Sequence, residues 1–178
     1  MEKDWTAVFS QRQNQLERVI GANQMTERFG LSLTEEEAGL ILEERQKTLR
    51  EQRRVEFGEG ILTRLIYEFC DSEYLDQSNY VETLIRLQEI FYLYKNEMQD
   101  ELTDDELLHL MKEQFELLCF GDLEYLESTC LAAFSQAVRA GYGGYRGTDG
   151  RGEYSRFDEE KRWDHELYFE TLKELCWG

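Results

Sequence analysis

The sequence predicts an all-α fold: a single compact bundle of six to seven helices around a central helix near residues 80–100, with a glycine-rich loop ahead of a C-terminal helix. Three observations predict it. Proline is absent from all 178 positions, where average usage supplies about nine, so nothing breaks a helix from within. Apolar residues recur at spacings of three and four along most of the chain, the period of one helix face. Thr34 with Glu37, Asn79 with Glu82, and Thr103 with Glu106 have the spacing of capping boxes and mark three helix starts.

The first helix is expected from about Asp4 to Ile20, with Trp5, Val8, Phe9, Leu16, Val19 and Ile20 on its inner side. A short piece then ends at Phe29, where Gly30 supplies a left-handed stop. From Thr34 the next helix presents Ala38, Ile41, Leu42 and Leu49 on one face, and becomes polar and basic beyond Leu49. Val55 to Gly60 is the first non-helical connection, with two glycines to make a turn. Ile61, Leu62, Leu65, Ile66, Phe69 and Cys70 form a stripe that ends at Asp71 and Ser72. The helix from Asn79 to about Asp100 is apolar over most of its circumference, which makes it the central, most buried element. After Thr103, the residues Leu107, Leu108, Met111, Phe115 and Leu118 face inward before Gly121 stops the run. A further helix from about Leu123 to Ala140 uses Leu126, Cys130, Ala133, Phe134, Ala137 and Val138.

Composition changes sharply at residues 141–152, where six glycines fall in twelve positions. This predicts a flexible loop, the least ordered internal segment of the chain. Ser155 and Asp158 have the spacing to cap a last helix to about Trp177, with Tyr168, Leu172, Leu175 and Cys176 on one side. The organisation is thus a helical domain over residues 1–140, the loop 141–152, and a C-terminal helix over 153–178 packed on the same domain.

A chain of this length hides roughly two-thirds of its unfolded surface and folds without staples. Cys70, Cys119, Cys130 and Cys176 lie far apart with no Cys-x-x-Cys pair, so they read as buried free thiols and point to a reducing, cytoplasmic location. No basic start leads into an apolar signal run, and no apolar stretch approaches the roughly 18 residues of a membrane span. The chain carries 38 acidic against 20 basic side chains, a formal net charge of −18. Residues 61–130 hold 17 acidic and 4 basic side chains, net −13, so the middle of the chain carries most of the excess. That field repels a phosphate backbone, which argues against nucleic-acid binding, and attracts basic proteins or divalent cations. A solvated surface that maintains solubility is the simpler reading of the same charge.

Motifs that would carry chemistry are few. Glu106 and His109 have the Glu-x-x-His spacing of carboxylate-bridged metal bundles, yet those sites need a second such pair. On a helical projection Glu106, His109 and Glu113 point away from the Leu107, Met111 and Phe115 stripe, toward water. His165 shares a side with Tyr168, Leu172 and Leu175 and reads as a half-buried core histidine. In the glycine-rich loop, Arg146 stands where Gly-x-Gly-x-x-Gly needs its third glycine, and a helix precedes rather than a strand. Tyr142, Tyr145 and Arg146 are candidate contacts for a partner or ligand, beside the simpler expectation of a linker. The basic run Arg45, Lys47, Arg50, Arg53 and Arg54 sits at a helix end, where positive charge suits the dipole, and can dock on the chain's own acidic middle. No calcium loop is formed by Asp100, Glu101, Asp104 and Asp105. No catalytic residue, metal ligand or cofactor site is read from these patterns.

Thr26 to Glu36, Val55 to Leu62, Leu87 to Tyr92 with Lys95 to Glu97, and Asp104 to Leu107 together resemble a bacterial family known as a domain of unknown function. The resemblance covers roughly residues 24–130. It implies a bacterial, cytoplasmic origin and brings no activity, cofactor or catalytic residue with it. The functional expectation is a protein-interaction or regulatory module, through a protein partner or self-association, with the acidic middle helices supplying part of the contact. A small-ligand-binding protein or metal-dependent enzyme with an unidentified pocket is the alternative.

Overall fold

The structure, a computed structural model, describes residues 5–58 and 60–139. Helices take 73% of the described residues, and no strand occurs among them. In chain order they are α1 (Trp5–Gly21), α2 (Asn23–Thr26), α3 (Glu35–Glu51), α4 (Leu62–Phe69), α5 (Tyr80–Glu97), α6 (Asp104–Leu117), α7 (Leu123–Tyr125) and α8 (Leu131–Arg139). A 3₁₀ turn, Glu27–Phe29, extends α2. A π-helical segment, Leu126–Cys130, joins α7 to α8. The glycine-rich loop and the C-terminal helix expected from the sequence lie outside the described residues.

As its composition predicts, α5 is the centre: α3, α4, α6, α7 and α8 all pack on it. Buried side chains cover more than half of its circumference, among them Leu84, Leu87, Ile90, Phe91, Tyr92 and Tyr94, and the face through Glu82, Arg86, Glu89 and Glu97 is left to solvent. α3 runs parallel to it. Just before the two helices begin, the Gln77 amide bonds both the N–H (2.8 Å) and the carbonyl (2.9 Å) of Ser32. Just beyond α3, Arg54 donates to Asn96 (2.7 Å) near the end of α5, and to Asp100 (2.9 Å) past it. α4 lies in the crossover between the two, and its stripe from Ile61 to Cys70 is buried as expected.

Helix ends follow the sequence where a hydroxyl caps them. Thr34 and Thr103 form reciprocal capping boxes with Glu37 and Glu106. Asn79 does not. Its side chain accepts from the Asp76 N–H (2.9 Å) and donates to the Tyr74 carbonyl (3.0 Å), so it pins the loop before α5 instead of capping the helix. α5 also ends earlier than expected, because Gln99 and Asp100 are both left-handed.

Two further corrections concern which side faces inward. Trp5, Val8 and Phe9 are exposed, and only Leu16, Val19 and Ile20 of the expected face reach the core. The reason is what lies opposite: beside the first half of α1, α3 presents Leu42 together with Glu43, Gln46 and Arg50, little apolar surface to bury against. At the other end of the chain, the buried residues are Leu126, Cys130, Leu131, Phe134, Ser135 and Val138. An α-helical period would place Ala133 and Ala137 inward; the wider π turn shifts the face, and Leu131 becomes fully buried.

Left-handed stops separate two costs of a side chain. Gly30 (φ +78°) has open space where a Cβ would stand, whereas at Gly121 (φ +81°) a Cβ would fall 2.7 Å from the Tyr74 side chain. Gly30→Ala is expected to cost about 1 kcal/mol, from conformation alone, and Gly121→Ala at least about 2 kcal/mol, from conformation plus collision. Urea unfolding of the two variants checks the order, and equal costs would mean that Tyr74 yields freely.

Candidate functional site

Between α1 and α3 runs an open groove of about 550 Å³. Val8, Gln11, Arg12 and Gln15 form one wall, a single face of α1. Leu42, Glu43, Gln46 and Arg50 of α3 form the other, and Glu56 closes the end. Arg12 bridges the walls through Glu43 (2.9 Å).

The closing turn owes its shape to three left-handed residues, Arg53, Gly58 and Gly60, with φ between 56° and 63°. Between them the side chains alternate: Val55 and Phe57 project into solvent and Glu56 turns inward. Gln15 of α1 holds the turn by donating to the Gly58 carbonyl (2.9 Å). Glu56 holds it from beneath. Its Oε2 accepts from the Tyr92 hydroxyl (2.5 Å) and lies 3.6 Å from Nη2 of Arg45, which is fully buried. Among the described residues no partner meets ordinary hydrogen-bond geometry with the Arg45 guanidinium nitrogens, so the Glu56 carboxylate, with the Tyr92 hydroxyl beside it, is what offsets a charge that would otherwise be very costly to bury. Gly60 completes the arrangement. A Cβ there would come within 2.2 Å of Glu56 Oε2 and 2.6 Å of Arg45 Nη2.

Arg45, Glu56 and Tyr92 were not legible as a group. The available signal was an arginine on the apolar face of α3, one turn after Ile41, ahead of a Gly-Glu-Gly turn. The basic run to which Arg45 belongs is partly consumed inside the chain, since Arg45 is buried and Arg54 binds Asp100, while Lys47, Arg50 and Arg53 are exposed. In the acidic middle all four basic side chains are likewise bound: Arg64 by Asp104 and Asp105, Arg86 by Glu89 and Glu127, Lys95 by Asp104, and Lys112 by Asp71 and Glu116. The surplus of carboxylates stays outside.

The other sequence candidates are not brought to this groove. His109 is exposed, with Nδ1 3.4 Å from Glu68 and Nε2 3.1 Å from Glu113. Glu106 does not join it, because its carboxylate is turned back to the Thr103 N–H (2.8 Å). Among the described residues no group of three or more His, Cys, Asp or Glu side chains is placed to hold a metal ion. No helix among them is long and apolar enough to cross a membrane. Tyr142, Tyr145, Arg146 and His165 lie outside the described residues.

Residues 18–144 match the model of a family of unknown function (DUF6323), and the chain belongs to that family. The match spans every segment on which the resemblance rested, and takes in Arg45, the closing turn and Tyr92, whereas the groove wall of α1 precedes it. No curated protein and no solved structure matches the chain.

The buried pair sets up a double-mutant test. Glu56→Ala alone leaves the guanidinium uncompensated and is expected to cost about 3–5 kcal/mol, while Arg45→Met with Glu56→Gln restores most of it. Denaturant unfolding reads both, and additive losses would show that the two side chains do not depend on each other. The core tyrosines make a second test. Burial pushes Tyr80 and Tyr94 up to about 12, and burial followed by the hydrogen bond to Glu56 raises Tyr92 as well. The fold favours the neutral phenol, so these groups leave stability unchanged below the ordinary tyrosine value near 10 and subtract from it as pH rises from there toward 12. Ultraviolet titration should show them ionising after the exposed tyrosines. One early, uniform transition in folded protein would contradict their burial.

Proposed function

We propose that this family member is a protein-interaction module, and that the α1–α3 groove with its apolar rim receives an apolar segment of a basic partner protein. One observation carries the reading: five large apolar side chains stand in solvent on the first turns of α1 and on the turn that closes the groove, one of them, Val8, in the groove wall. Trp5 is 72% exposed, Val8 59%, Phe9 72%, Val55 85% and Phe57 88%. Val8 lines the groove, Trp5 stands one turn before it and Phe9 beside it, and Val55 and Phe57 flank Glu56. Apolar side chains gathered in this way characterise binding surfaces more than the scattered apolar residues normal on a soluble protein.

The turn has the rigidity such a surface requires. Glu56 is fixed from below by Tyr92 and Arg45, so Val55 and Phe57 are held out with less freedom to lose on binding. Charge selects the partner. A net −18, concentrated in residues 61–130, draws in a basic protein and speeds its encounter over the roughly 8–10 Å that salt leaves unscreened. A cytoplasmic setting belongs to the same proposal, supported by the free thiols of Cys70, Cys119 and Cys130.

The test compares the chain with a variant carrying Val8→Ser, Phe9→Ser, Val55→Ser and Phe57→Ser, which touches only exposed positions and should leave the circular dichroism unchanged. Capture from the native cell is expected to recover a basic partner at low salt, less of it at high salt, and at least about tenfold less on the variant, the worth of roughly 1.4 kcal/mol. Equal recovery on both proteins would remove the groove from the contact. A dimer in light scattering that the variant abolishes would make a second copy the occupant, and a monomer that captures nothing would end the interaction reading.

A further inference from the structure

We infer that Cys119 and Cys130 form a site of reversible oxidation, a thiol pair that closes to an intramolecular disulfide. Cys119 lies in the turn after α6, and Cys130 is the last residue of the π segment. Their sulfurs are 3.5 Å apart in the interior, Cys119 being 5% exposed and Cys130 fully buried. A disulfide bond is about 2.05 Å long, so closure needs a movement of only about 1.5 Å, within reach of small side-chain rotations. Cys70 stands apart from the pair, its thiol donating to the Tyr67 carbonyl (3.4 Å).

Access favours Cys119 as the first to react. It is the less sealed of the two, and the next residue, Phe120, is exposed. Hydrogen peroxide is small enough to serve as the oxidant. The Cys119 thiolate attacks one peroxide oxygen, the O–O bond breaks, and Cys119 becomes a sulfenic acid while the other oxygen leaves as water. The Cys130 thiolate then attacks the Cys119 sulfur and expels hydroxide, which takes up a proton to become a second water. In sum, two thiols give up two electrons and two protons, and one peroxide is reduced to two waters. A dithiol reverses the change by exchange.

The bond would join the end of α6 to the start of α8 and enclose α7 with its π turn. Glu127 lies inside that ring, where its carbonyl accepts from Tyr94 and its carboxylate pairs with Arg86, both on α5. Oxidation would therefore staple a segment already anchored to the central helix.

Peptide mapping of the folded, full chain after peroxide treatment and alkylation tests the inference. The expected product is a monomer lighter by two hydrogens, with the peptides of Cys119 and Cys130 linked, restored by dithiothreitol, and with a higher Tm than the reduced form. Cys119→Ser and Cys130→Ser should each abolish the link and the Tm difference, and Cys70→Ser should leave both intact. If a serine variant does not fold, the mapped link in the unmodified chain still decides. The inference is overturned if peroxide leaves both thiols free in the folded chain while oxidising them in urea, or if it links either of them to Cys70 or Cys176 instead.

Discussion

A helix enclosed over most of its circumference has only one narrow face on which to place polar groups at leisure, and the described fold is organised around that constraint on α5, whose open face runs through Glu82, Arg86, Glu89 and Glu97. Five other helices pack on it, and three polar side chains on its buried side reach particular partners at particular places. Lys95 reaches out of the core to the Leu102 carbonyl and to Asp104 at the start of α6. Tyr94 bonds the Glu127 carbonyl in the π segment. Tyr92 bonds Glu56, which stands against Arg45. Such bonds contribute modestly when made and are expensive to leave unmade, so they set the order and register of the surrounding helices beyond what apolar packing would demand.

The parallel pairing of α3 with α5 follows from the same centre. Parallel neighbours cannot be joined by a tight turn, so the chain must travel back the length of the pair. It does so through the 53–60 turn and α4. The turn thus has two duties: it redirects the chain, and it seals the end of α3 with Glu56. Its left-handed residues, Arg53, Gly58 and Gly60, serve the first duty. The side chain of Glu56 serves the second, and the alternation of an extended segment then leaves Val55 and Phe57 facing water. The candidate groove is in this sense a by-product of closing the core.

Much of the fold was legible in the sequence because helix starts and buried stripes are local features. Thr34, Thr103, Gly30 and Gly121 acted where their types and spacing indicated, and so did the stripe from Ile61 to Cys70. What was not legible depended on the opposite partner. Trp5, Val8 and Phe9 have helical spacing, but spacing does not reveal that α3 would offer them mostly charges and amides. Asn79 had the type and spacing for a cap, yet the loop before it competed for the same side chain. The groove was hidden for the same reason, since Arg45, Glu56 and Tyr92 are far apart in the chain and only packing brings them together. Glu106 with His109 shows the converse: a suggestive spacing lost its meaning once the carboxylate proved to be committed to its own helix end.

The π segment between Leu126 and Cys130 has a consequence for how this region can vary. It holds one more residue than an α-helix would need to join the same two points, a length mismatch absorbed inside the helix and not in a loop. Each residue of a helix turns the chain by about 100°, so gain of a residue beyond the one the π turn already absorbs would rotate α8 by more than a quarter turn and carry Phe134 and Val138 off the core, whereas loss of one would restore a regular α turn between the same two points. The stretch can therefore change its letters, or shed the surplus residue, far more easily than it can lengthen.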